Sequence, residues 1–197
     1  AAGNAFFAEE LVACCPGELG DDLGRVLRMR LEQLDDVSQR VVRAVAIGGR
    51  QVGHELLWAV TALPEDELDR ALQSAIDHHT LELTPSGDYA LRHALVGEAV
   101  LATLLPGQRR RLHRAYAASL AHDPGLAPAS ELARHAAASG DLATAITAAR
   151  AAGESALAMG GAREALALFE SVLGWMDESD PARDEVTLAA ARAAAVA

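Results

Sequence analysis

Apolar residues recur at three- and four-residue steps along most of this chain, and once, over residues 81–91, the spacing drops to two. The first period lays an apolar stripe along one face of a helix, and the second fits a strand with one face buried. A chain with a single short stretch of the second kind cannot build an extended sheet. The expectation is therefore an all-α fold with one small β-hairpin.

From Asp21 the helical pattern runs through Leu23, Val26, Leu27, Leu31 and Leu34. A second helix carries Val37, Val41, Val42 and Val45 and is stopped by Gly48-Gly49. A third holds Leu56, Leu57 and Val60. A fourth begins at Pro64, followed by Glu65, Asp66 and Glu67, acids that suit the positive end of a helix dipole. Leu81 and Leu83, then Tyr89 and Leu91, alternate with other residues around the turn cluster Pro85-Ser86-Gly87-Asp88. Helices followed by one hairpin have the layout of a winged helix. A helix over about 94–105 follows, and Pro106-Gly107 breaks the chain. Beyond it, Leu112, Tyr116 and Leu120 line one face of a helix, and further helices are predicted at about 129–139, 141–159, 161–176 and from 182 to the end, a spacing that makes antiparallel hairpins. Gly153 and Ala156 before the joint at Gly160, then Ala165, Phe169 and Val172 after it, resemble one tetratricopeptide repeat. The predicted organisation is an entry segment over 1–20, a winged-helix domain over 21–105 and tetratricopeptide-like hairpins over 106–197.

Composition narrows the chemistry. Half of the 197 residues are hydrophobic, alanine dominates, and the formal net charge is −11. An acidic chain is repelled by phosphate backbones and by anionic lipid, and the hairpin tip has no basic residue, so direct DNA binding is not expected. All seventeen basic residues are arginine, which rules out a phosphate loop of the Gly-rich, lysine-containing type. Nothing resembles a nucleophile elbow, and no enzymatic activity is expected of the chain alone. The neighbouring Cys14 and Cys15 read as reduced thiols of a cytoplasmic protein. No run approaches a membrane span, and no metal cluster is expected: His78 and His79 point apart, and His54, His122 and His135 are scattered.

Two features carry candidate chemistry. Arg109, Arg110, Arg111, His113 and Arg114 form either a solvated helix face or a contact for an anion or partner. His93, preceded by Arg92, stands where the second strand ends and a helix begins. There it is either a capping or core histidine or a group that meets a phosphate at the amide-rich helix start.

Three segments, in order, resemble a known family. Gly3-Asn4-Ala5-Phe6-Phe7-Ala8-Glu9-Glu10-Leu11 is similar to the Gly-Asn-Pro-Phe-Phe-x-x-Glu-Leu segment of large LuxR-type regulators, signal-transduction ATPases of the STAND class that include the maltose regulator. Leu91-Arg92-His93-Ala94-Leu95 through Glu98-Ala99 resembles that family's Phe-Arg-His-Ala-Leu-x-x-Glu-Ala segment. Leu105-Pro106, with Arg109-Arg110-Arg111-Leu112-His113, resembles its Leu-Pro-x-x-Arg-Arg-x-Leu-His continuation. Ala5 replaces the family's proline and Leu91 its phenylalanine.

The resemblance implies a middle piece of an ATP-dependent transcriptional regulator. Such a piece couples nucleotide state and an inducer or protein partner, bound on the helical repeats, to DNA-binding activity elsewhere. It implies ATP or ADP as the ligand of the intact protein, with none in this piece. Nucleotide contacts would fall at Asn4, Ala5, Arg92 and His93, and the protein's own nucleotide-binding domain would be a partner, with Arg109, Arg110, Arg111 and Arg114 as contact residues. Without the resemblance, the residues are equally those of a stand-alone helical-repeat scaffold for protein–protein interaction.

Overall fold

The computed structural model describes residues 29 and 31–197, and it is mostly helical with one two-stranded antiparallel sheet. The entry segment over 1–20, with Asn4, Ala5, Cys14 and Cys15, and most of the first predicted helix lie outside the described residues.

Helix α1 spans Asp36–Gly48 and starts where the Asp35 carboxylate accepts a 2.7 Å bond from the Ser38 amide. That bond holds Asp35 below the usual carboxylate range. Val41, Val42, Val45 and Ile47 bury its apolar face. Helix α2, His54–Thr61, buries Leu56, Leu57 and Val60. Helix α3, Glu65–Asp77, buries Leu68, Ala71, Leu72 and Ala75. Pro64 stands one place before the predicted first turn, at the N-cap, where its missing amide is equally harmless. Strand β1, Leu81–Leu83, pairs with β2, Tyr89–Leu91, in the register Leu81↔Leu91. Val52 adds a one-residue antiparallel bridge to β2, exchanging backbone bonds of 2.8 and 2.9 Å with Tyr89. One residue is too short to show a period, so sequence patterning could not find it.

Helix α4, Ala94–Thr103, leads to α5, Pro106–His122. Pro106 breaks the chain only in ending the approach to α5: it occupies the first helical turn, and Gln108 Oε1 accepts from the Leu105 amide at 2.9 Å. After a 3-10 turn at Pro124–Leu126 come α6, Ala129–Ser139; α7, Leu142–Ala158; α8, Ala162–Trp175; and α9, Arg183–Ala194. Successive helices from α5 to α9 pack on one another as antiparallel hairpins.

Two larger cores result. The first gathers residues of α1 to α4 with Leu81 and extends into α5 through Tyr116 and Leu120. The second joins α6 to α9 around Phe169, Val172, Met176 and Val186, with alanines at the close approaches. Gly153 of α7 faces Phe169 of α8 so closely that a Cβ there would lie 2.8 Å from the ring. The predicted pairing of a small residue with Phe169 is thus the contact that sets the α7–α8 spacing. On α9, Val186, Ala190 and Ala193 are buried and Leu188 is exposed.

Candidate functional site

The residues singled out from sequence fall in two places. Arg92 and His93 sit together at the junction of β2 and α4. His93 is the N-cap of α4 in extended conformation, its side chain makes no capping bond, and it is half-buried. Arg92 is exposed, with Nη1 3.2 Å from His79 Nδ1. On α5, Arg109 turns back and donates to the Leu101 carbonyl at the end of α4. Arg110, Arg111 and Arg114 are exposed.

The most constrained polar group is elsewhere, where α5 and α6 meet the C-terminal end of α1. Tyr116 is fully buried and donates to the Ala44 carbonyl at 2.8 Å. Gly48 makes room for it: a Cβ there would lie 2.5 Å from the phenol oxygen and 2.3 Å from Val52 Cγ2. Burial pushes the phenol well above its ordinary pKa. The His135 ring stacks on Tyr116 with centroids 4.4 Å apart. Arg134 reaches across to α1, donating from Nη2 to the Gly48 carbonyl at 2.7 Å and to Glu131 Oε2 at 2.5 Å. A cation against the last carbonyls of α1 complements the negative end of that helix.

Arg134 Nη2 also lies 2.7 Å from His135 Nε2, and His135 Nδ1 lies 3.0 Å from His113 Nδ1, so one ring of the histidine pair donates to the other according to its tautomer. Burial, reinforced by Arg134 and His113, depresses His135 to about 3. Burial and Arg134 lower His113 as well.

This sets a pH dependence. His135 stays neutral in the fold well below the pH at which it protonates in the unfolded chain, near 6.5, and His113 is shifted in the same direction, so the unfolded chain binds more protons below that value. Stability is complete above about pH 6.5 and falls as the pH drops toward 3. Asp35, Asp141 and Asp177 are lowered from 3.8, so their contribution is lost at lower pH. Urea midpoints should therefore fall between about pH 6.5 and 4.5, and His135→Gln should flatten that slope. An unchanged slope in the variant would show that His135 is not the group responsible.

Beside this group, a cavity of about 380 Å³ separates the 48–53 loop from α6; Arg50, Gln51, Asp88, Glu131 and His135 line it. Sequence reading gave His135 no role, because its partners lie on other helices and His113 is 22 residues away. Among the described residues no group of three His, Cys, Asp or Glu side chains converges to hold a metal ion, and no helix is long and apolar enough to cross a membrane.

No family model matches the chain, and neither the curated proteins nor the solved structures contain a similar one. What fold and site define is a class of architecture: a helical unit with one hairpin, joined through a buried polar cluster to a row of antiparallel helical hairpins.

Proposed function

We propose that this chain is a non-catalytic regulatory module of an ATP-dependent transcription switch, relaying the occupancy of its helical hairpins to a nucleotide-binding domain of the same protein. The observation that carries this reading is the dual role of α5. Tyr116 and Leu120 belong to the first core, while Ala117 packs with Ala136 of α6 and Ala145 of α7. A shift of the hairpins must therefore move a side chain in the first core, because close-packed interiors transmit strain. The three ordered segments that resemble LuxR-type STAND regulators add the nucleotide. A hairpin tip of Pro85, Ser86, Gly87 and Asp88 supports a unit that reads its own partner domain rather than DNA.

In this reading Arg92 and His93 contact the terminal phosphate of ADP and hold the resting state. A charge-assisted hydrogen bond is worth about 1.5–3 kcal/mol, about a ten- to hundred-fold shift in a two-state equilibrium. The test is an ADP and ATP titration of the product of the full reading frame. His93→Ala should weaken ADP binding by that factor and raise basal activity. Unchanged ADP binding, or a reading frame with no nucleotide domain, overturns the switch and favours a stand-alone scaffold.

A further inference from the structure

A second cleft, of about 350 Å³, opens between α1, α2 and α5. Arg40 and Arg43 of α1 and Arg111 of α5 line it above an apolar floor that includes Val60 and Leu112, and no carboxylate is among its lining residues. Among the described residues none of these three arginines makes an ion pair, whereas Arg70, Arg134 and Arg150 each pair with an acid. The Arg43 guanidinium is steadied by donating to Gln39 Oε1 at 2.9 Å. Gln108, whose Oε1 is taken by the Leu105 amide, keeps its Nε2 as a further donor at the rim.

We propose that this cleft binds a small phosphate ester, with the phosphate held by Arg40, Arg43 and Arg111 and the organic part laid on Val60 and Leu112. Three arginines line one cleft of a chain of net charge −11, and with no carboxylate among the lining residues their charge is not neutralised there. A single carboxylate occupies one guanidinium fork, while a phosphate offers three acceptor oxygens and close to two negative charges. The apolar floor rewards an organic substituent that inorganic phosphate does not have. A volume of this size lies at the lower end of small-molecule sites, about 300–1,000 Å³. Such a ligand bridges α1 and α5, so it would tighten the joint in which Tyr116 donates to the carbonyl of Ala44, itself a residue of the cleft wall.

The experiment is calorimetric titration of the chain with phenyl phosphate at low salt. Binding with Kd below about 1 mM is expected, with Arg40→Gln and Arg111→Gln each weakening it roughly tenfold. Arg114→Gln, on α5 but not lining the cleft, should bind as the parent does, and inorganic phosphate should bind at least about tenfold more weakly. Unfolding midpoints of the variants establish that each is folded. No binding by the parent chain, equal binding by the two cleft variants, or equal affinity for inorganic phosphate overturns the proposal. So does arginine-dependent capture of an acidic peptide when phenyl phosphate does not bind. None of these outcomes depends on the full reading frame, so this site and the nucleotide switch stand or fall separately.

Discussion

Gly48→Ala is expected to destabilise the chain by about 3 kcal/mol, although a glycine-to-alanine change inside a helix ordinarily stabilises by roughly 0.5–1 kcal/mol. The reversal of sign comes from the joint. The new Cβ would meet Val52 Cγ2 at 2.3 Å and Tyr116 Oη at 2.5 Å. Neither neighbour yields easily: Val52 is tied to Tyr89 by two backbone bonds, and Tyr116 is buried with its hydroxyl on the Ala44 carbonyl. Displacing the phenol adds the cost of a buried, unsatisfied hydroxyl, about 1–3 kcal/mol if no partner is regained. Gly174 of α8 is the internal comparison, since nothing lies within 4 Å of a Cβ built there. Gly174→Ala should therefore gain about 0.5 kcal/mol. Urea unfolding of both variants measures the pair, and a neutral Gly48→Ala would show that the joint is loosely packed.

Phe169→Ala should cost about 3–5 kcal/mol, the range for emptying a buried aromatic site. Phe169 is 1 % exposed and is the largest side chain in a core otherwise built mainly of alanine. Small neighbours have little to move into the void, so collapse recovers little of the loss. The same contact gives a coupling test. Gly153→Ala brings a methyl to 2.8 Å from the ring and should cost about 1–3 kcal/mol alone. In a Phe169→Leu background, where the ring edge is gone, the added methyl should cost less than half as much. Additive costs would mean that Gly153 serves only backbone freedom and not the approach of α7 to α8.

How far the sequence could be read follows from the length scale of each signal. Helices α6 to α8 lie within one residue of the expected 129–139, 141–159 and 161–176, α1 stops and α3 starts at the expected Gly48-Gly49 and Pro64, and α9 starts one residue past 182 but ends at Ala194 rather than at 197. The hairpin was legible because Leu81, Leu83, Tyr89 and Leu91 flank a turn cluster. The Gly153–Phe169 contact was legible because both residues lie within one repeat-like unit. What could not be read depends on distant pairs. Nothing local marks Tyr116 as the residue whose hydroxyl reaches Ala44, 72 positions earlier. Arg134 and His135 look like two polar residues of an ordinary helix until α1 ends against them. In the sequence Gly48-Gly49 is a stop signal, and Gly49 does end α1 with φ +118, but Gly48 also makes room for the phenol beside it. The arginine row of α5 is one feature in the sequence, and the structure divides it: Arg109 turns onto α4, and Arg111 lines a cleft with Arg40 and Arg43.

A relay requires the two cores to share their stability, and the chain carries a reporter beside each, Trp58 being 45 % exposed on a helix of the first core and Trp175 partly buried against the second. Trp58 lies on α2, with Nε1 donating to the Leu63 carbonyl at 3.0 Å, and Trp175 packs against the hairpin core at the end of α8. These are its only two tryptophans. Trp175→Phe and Trp58→Phe each leave one emitter, so urea unfolding followed by fluorescence reads the first core and then the hairpins. Coupling through Tyr116, Arg134 and His135 predicts coincident midpoints for the two reporters, and Gly48→Ala should lower both by the same amount. Separate transitions, with Gly48→Ala shifting Trp58 and leaving Trp175 where it was, would contradict the relay.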